Sequence, residues 1–167
     1  MSSPPGKGTR PTASKMRQAL FNILGARTPG ARFLDIFAGT GLIGLEALSR
    51  GAASLTAIEQ NRPLAANIKI AAQNLGYEAE IISGDFREAL PTLEGRVFEI
   101  IFADPPYEAG FERQTLALVA KHHLLNEQGL VVIEHLSRNE VLYKELPFRQ
   151  IDRRQYGQSA FSFYVLN

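Results

Sequence analysis

The chain has 167 residues, 45% of them hydrophobic and 21% charged, the make-up of one ordinary globular domain. It contains no cysteine, which excludes disulfides, thiolate nucleophiles and zinc–cysteine clusters, and no apolar run approaches the roughly 18 residues of a membrane span. Without cysteine, and with no signal-peptide pattern at its start, the chain is expected in the reducing cytoplasm. The net charge of +1 hides an asymmetry. Lys7, Arg10, Lys15, Arg17, Arg27 and Arg32 precede Leu34 with no acid among them, leaving 12 of the 18 basic residues to face all 17 acids in the remainder. A basic end on an acidic body points either to a polyanion partner or to a solvated helix face.

Residues 1–12 ("MSSPPGKGTRPT") are rich in Pro, Gly and Ser and read as an irregular basic segment in front of a single domain. From Ala13 the pattern becomes helical: Met16, Leu20, Ile23 and Leu24 make one stripe that Gly25 can end. Arg17 and Gln18 lie off that stripe, toward solvent or a ligand. "RFLDIF" (32–37) reads as a buried strand, and "AGTGLIGLEALSRGA" as a glycine turn opening a helix. "SLTAIE" (54–59) is a second strand. Asn61 is an N-cap before Pro63, and Leu64, Ile68, Ala71 and Leu75 form the next helical stripe, closed by Gly76. "EAEIISGD" (78–85), "FEIIFAD" (98–104) and "GLVVIEHL" (129–136) are further strands. A short helix follows the first of these, and a helix through "RQTLALVAKHHLL" precedes the last. Strands alternating with helices predict an α/β fold, a doubly wound, Rossmann-like parallel sheet. The tail breaks this rhythm: "FRQIDRRQY" and "AFSFYVLN", joined by Gly157-Gln158-Ser159, predict a hairpin that adds an antiparallel strand.

"GTGLIG" (39–44) fits G-x-G-x-x-G between a strand and a helix. Dinucleotides and S-adenosylmethionine both use such loops, and a tight strand–helix turn needs no ligand at all. Charge helps to choose. Asp35 lies four residues before Gly39, where a carboxylate repels a pyrophosphate but attracts an ammonium and a sulfonium. Glu59, closing the second strand, can accept from both ribose hydroxyls, a device that NAD sites share, or can serve as a capping acid. Asp85 can accept from an adenine amino group while Phe86 flanks the ring, and it is equally suited to cap the helix that follows. All of these acids fall at the carboxyl ends of parallel strands, where ligands bind in such sheets.

"FADPPYEAG" (102–110) places an acid, two prolines and an aromatic at one more strand tip. Methyl transfer to an exocyclic amine needs the nitrogen lone pair aimed at the methyl donor. Asp104 and the carbonyl of Pro105 can accept the amine hydrogens and hold it in line, with Pro106 fixing the bend. Tyr107 offers a face on which a flipped base can stack. A plain capped Pro-Pro turn is the reading without chemistry.

In this order, "LDIFAGTGLIGLEALSRGA", "AIE", "GDF" and "FADPPY" resemble the class I S-adenosylmethionine-dependent methyltransferases that modify amino nitrogens. With "RPTASKMRQALFNIL" in front, the chain resembles the bacterial family that methylates guanine N2 in 16S ribosomal RNA. The resemblance runs from about Arg10 to the C-terminus. It implies S-adenosylmethionine as cofactor and S-adenosylhomocysteine as product. Asp35 and the backbone Phe37, Ala38, Gly39 to Gly41 would hold the methionine part, Glu59 the ribose, Asp85 and Phe86 the adenine, and Asp104 to Tyr107 the target amine. Arg10, Lys15 and Arg17 would meet the RNA, either naked or in the small ribosomal subunit, with the protein acting as a monomer. Two positions depart from the family: Ser14 stands where an acid is usual, and only nine residues precede Arg10. "DPPY" is shared with DNA adenine and protein amide methyltransferases, so those substrates stay open, as do an NAD-dependent oxidoreductase and an RNA-binding module without catalysis. His122, His123 and His135 lack metal-ligand spacing, so no metal is expected. Arg149, Arg153 and Arg154 read as an exposed strand face that can also touch phosphate.

Overall fold

A computed structural model describes residues 13–107 and 109–167. Within them, seven strands form one sheet in the order β3-β2-β1-β4-β5-β7-β6. The strands are β1 (Arg32–Ile36), β2 (Ser54–Glu59), β3 (Glu80–Ser83), β4 (Phe98–Ala103), β5 (Leu125–Leu136), β6 (Phe148–Tyr156) and β7 (Ser159–Leu166). β1 to β5 run parallel, and β7 is antiparallel to both β5 and β6, as the tail hairpin requires. The strand order reverses next to β1, which puts the ligand crevice beyond the carboxyl ends of β1 and β4.

Alternation along the strands sorts side chains onto two faces. Phe33, Phe102, Val132, Phe161 and Phe163 pack under helices α1 (Ala13–Leu24), α2 (Leu42–Ser49) and α3 (Arg62–Asn74). Leu34, Ile36, Ile101, Ala103 and Ile133 pack under α4 (Phe86–Thr92) and α5 (Phe111–Lys121).

Local details depart from the sequence reading where packing outweighs pattern. In α1 the buried set is Met16, Leu20, Phe21 and Leu24, Ile23 being only partly covered, and a 3-10 turn over Gly25–Arg27 follows Leu24. Asn61 does cap α3, its Oδ1 accepting from Leu64 N at 3.0 Å. Of the predicted stripe only Ile68 is fully buried, joined by Ala65 and Ala72, while Leu75 is 60% exposed beyond the last turn. β5 starts at Leu125, earlier than the apolar run at 129. Its register against β4 shifts between Phe98 and Ile100, a bulge that accommodates Asn126 to Gly129. Among the described residues, no helix is long and apolar enough to cross a membrane.

Candidate active site

The glycine loop is shaped by three separate demands. The Gly39 N–H donates to Glu59 Oε1 at 2.7 Å, tying the loop to the tip of β2. Gly41 caps α2 at φ 79°, and a Cβ there would lie 2.7 Å from Ile68 Cγ1. At Gly44 a Cβ would meet the Leu55 methyls at 2.6 Å, so a larger residue there would force the buried Leu55 side chain or α2 to shift. Phe37 is a non-glycine residue in the left-handed region (φ 65°), a backbone strain of order 1–3 kcal/mol that clusters at functional sites. The turn sends its ring across the crevice, 4.7 Å from Phe86 and nearly parallel to Phe111 at 6.1 Å. The Arg87 guanidinium lies over Phe86 and Phe111, 5.6 and 5.1 Å from their centroids.

Two cavities meet at this ring. The first, of about 800 Å³, lies over the tips of β2 and β3 and reaches to β4. Glu59, Asp85, Phe86, Asp104, Pro105, Pro106 and Tyr107 border it. Two of its acids, Glu59 and Asp85, already have partners. The second oxygen of Glu59 accepts from Asn61 N at 2.7 Å. Asp85 caps α4, accepting from Arg87 N at 2.8 Å, and its Oδ2 takes the Arg87 guanidinium at 2.6 Å. Those bonds hold the Asp85 carboxyl below the usual carboxylate range.

The second cavity, of about 340 Å³, lies under the α1–α2 face. Asp35, Phe37, Ala38, Gly39 and Arg17 border it, and Asp104 and Tyr107 belong to both cavities. Asp35 is 1% exposed and neither carboxylate oxygen has a hydrogen-bond partner. Burial pushes its carboxyl up to about 8; the Gly44 backbone N–H opposes this without reaching hydrogen-bond geometry, and the Glu59 charge adds to it. A carboxyl raised this far favours its neutral form, so the negative charge expected of Asp35 is muted in the ligand-free protein. Asp104 is also raised, by desolvation first and then by the Glu134 and Asp35 charges. It stands open to solvent at the mouth, whereas Asp35 is enclosed.

Glu134, Ser159, Phe111 and Arg87 belong to this site and were not singled out in the sequence. The register that pairs Ala103 with Ile133 brings Glu134 beside Asp104. The Tyr107 hydroxyl donates to Glu134 Oε2 at 3.2 Å and lies 3.1 Å from Ser159 Oγ at the start of β7. Desolvation pushes Tyr107 up to about 12, with the acids nearby adding to it against the Ser159 bond. Arg17 turns inward, bonding Glu46 at 3.3 Å, whereas Lys15 is exposed and borders neither cavity. Arg10 lies outside the described residues. His135 is a core residue, its ring bonded to Leu136 O and Ser162 Oγ, and among the described residues no acid or histidine cluster could hold a metal.

The strand order, the glycine loop and the acids at successive strand tips define a class I S-adenosylmethionine-dependent methyltransferase. Comparison with known proteins narrows the class. A family model described as "Conserved hypothetical protein 95" matches residues 1–165, and the chain belongs to that family. It is 32% identical over 166 residues to "Ribosomal RNA small subunit methyltransferase D" of Escherichia coli strain K12, covering 94% of this chain and 83% of the relative. The protein of the same name from Buchnera aphidicola of Acyrthosiphon pisum is 32% identical over 150 residues, 85% of this chain and 78% of its own. A solved structure described as a conserved hypothetical protein from Streptococcus pyogenes superposes with a TM-score of 0.82 at 33% identity, over 90% of this chain and 95% of that one.

Proposed function

We propose that this methyltransferase acts on the N2 amino group of a guanine in 16S ribosomal RNA, in the cytoplasm and as a monomer. The observation that carries the reading is Asp104, which borders both cavities, with Pro105 next to it on the first, where an amine would meet the cofactor. The names of the relatives supply the substrate class.

S-adenosylmethionine fits the residues present. The orphaned Asp35 oxygens suit an ammonium, the aromatic wall of Phe86 and Phe111 suits a purine, and Glu59 keeps lone pairs for hydroxyls beyond its two amide bonds. When bound, the cofactor supplies a methyl carbon made electrophilic by its sulfonium. Asp35, Phe37, Ala38, Gly39 and Gly41 would hold its methionine end, Glu59 its ribose, and Asp85 with Phe86 its adenine. The protein's further work is positional. Asp104 and the Pro105 carbonyl accept the amine hydrogens, turning the nitrogen lone pair toward the methyl group. Asp104 would stabilise the positive charge that develops on the amine as it takes the methyl group, and the amine proton would then pass to solvent. Arg10, Lys15 and Arg17 would contribute to the RNA contact, with Arg17 at the cavity.

The test is tritiated methyl transfer to small ribosomal subunits and to naked 16S RNA from a strain lacking the enzyme, followed by nucleoside analysis. The expected product is N2-methylguanosine from one of the two. Label in N6-methyladenosine, in protein, or nowhere overturns the reading.

A further inference from the structure

Resting on the guanine reading, we infer that Glu134 selects the target base by accepting the N1–H of guanine. Three acids share one face of the sheet at the mouth of the second cavity. Phe102 pairs with Asp35 on β1 and with Val132 on β5. The residues two further along β4 and β5, Asp104 and Glu134, therefore point to the same side as Asp35. Strands lie about 4.8 Å apart, so Asp104 and Glu134 stand side by side. Arg17 is the one arginine or lysine bordering the cavity among the described residues, and it is bonded to Glu46. A cavity rich in acceptors, with Asp35 buried and unpartnered against its wall, is built for a ligand that brings donors.

Two ligand groups divide that demand. The ammonium end of the cofactor answers Asp35. Guanine presents adjacent N–H donors at N1 and N2, and the paired carboxylates match them: Asp104 takes the reacting amine and Glu134 its neighbour. Oε2 of Glu134 is held by the Tyr107 hydroxyl at 3.2 Å, with Ser159 behind it, while Oε1 takes no hydrogen bond from the described residues. The carboxylate is thus oriented with one oxygen left for the base. Adenine carries a lone pair at N1, which a carboxylate repels, so the same residue rejects adenine.

The test uses small subunits reconstituted with 16S RNA carrying 2-aminopurine at the mapped target. That base keeps the exocyclic amine but lacks both the N1 proton and O6. The wild-type protein should prefer guanine over 2-aminopurine by roughly 100-fold in kcat/KM, and Glu134→Gln should cut that preference at least about tenfold. The missing O6 is common to both proteins and cancels in the ratio. S-adenosylmethionine affinity by calorimetry should be unchanged, a readout that a merely structural role would disturb. If Glu134→Gln does not fold, Glu134→Asp, whose carboxylate is drawn back by one methylene, should also lose most of the preference. Undiminished preference in the variant, or none in the wild type, overturns the assignment. Absence of N2-methylguanosine from the wild-type product brings down the guanine reading and this assignment with it; its presence with undiminished preference removes the assignment alone.

Discussion

The two cavities that meet at Phe37 treat their acids in opposite ways. In the first, Glu59 and Asp85 are ringed by donors of the protein itself, from Gly39, Asn61 and Arg87. In the second, neither Asp35 oxygen has a hydrogen-bond partner, and Asp104 and Glu134 are pushed up by desolvation and, at Asp104, by the charges of its neighbours. The first region is organised without a ligand, which suits it to place one. The second carries stress that a cation or a row of N–H groups relieves, so its binding strength is linked to protons. A folded protein can carry such a pocket because the glycine loop and the apolar layers on both faces hold the strands around it.

The comparison breaks most visibly at Asp104. Asp104→Ala should fold and bind S-adenosylmethionine normally yet lose methyl transfer by about 100-fold or more, since its contact develops with the reaction. Parallel loss of cofactor affinity, read by calorimetry, would move Asp104 into the cofactor site. In the organised region, Glu59→Ala should weaken cofactor binding by a few tens-fold, on the order of 2 kcal/mol, and also release the Gly39 and Asn61 amides. Unchanged affinity would remove Glu59 from the site.

Asp35 sharpens the contrast through pH. Because its carboxyl must ionise to meet a cation, cofactor affinity should climb by up to roughly tenfold per pH unit below 8 and level off above it. Asp35→Asn should flatten this slope while lowering affinity. The stability of the ligand-free protein should move the other way. The folded state holds this proton up to about 8, so the contribution is complete below the unfolded value near 4 and is lost as pH rises toward 8. Asp35→Asn should remove that decline, and melting curves from pH 5 to 8 that run parallel for the two proteins would refute it. The smallest effect is expected at Tyr107. Tyr107→Phe frees Glu134 and should slow turnover a few-fold, whereas Tyr107→Ala, which also removes the ring, should be severe. Equal defects in single-turnover rates would mean that the hydroxyl carries the whole role.

Much of this molecule is legible in the residues. The short, mostly apolar runs at 32–36, 54–59 and 98–103 mark the central buried strands, and the glycine spacing fixes which tip faces the crevice. Asn61 announces its cap, and His135 packs in the core with both ring nitrogens bonded. Alanine-rich α3 misleads because Ala65 and Ala72 mark the buried face only weakly, while Leu75 draws the eye to a turn that faces water. Glu134 is illegible for a deeper reason. A single acid in "VVIEHL" has no periodic signature, and its chemistry depends on a register that places it next to Asp104. Cavity partners drawn from β4, β5 and β7 are set by strand order, which no local pattern encodes.

The position of β7 governs the order in which the protein can be assembled. It is made after β6 yet lies between β5 and β6 in the sheet. Until it inserts, β6 has no strand beside it and β5 keeps a bare edge from Val131 to Leu136. Its first residue, Ser159, is also the one that reaches Tyr107. Pairing of β7 therefore completes both the outer sheet and the Tyr107 end of the second cavity, and a chain stopped before Ser159 leaves an adhesive edge and lacks that contact.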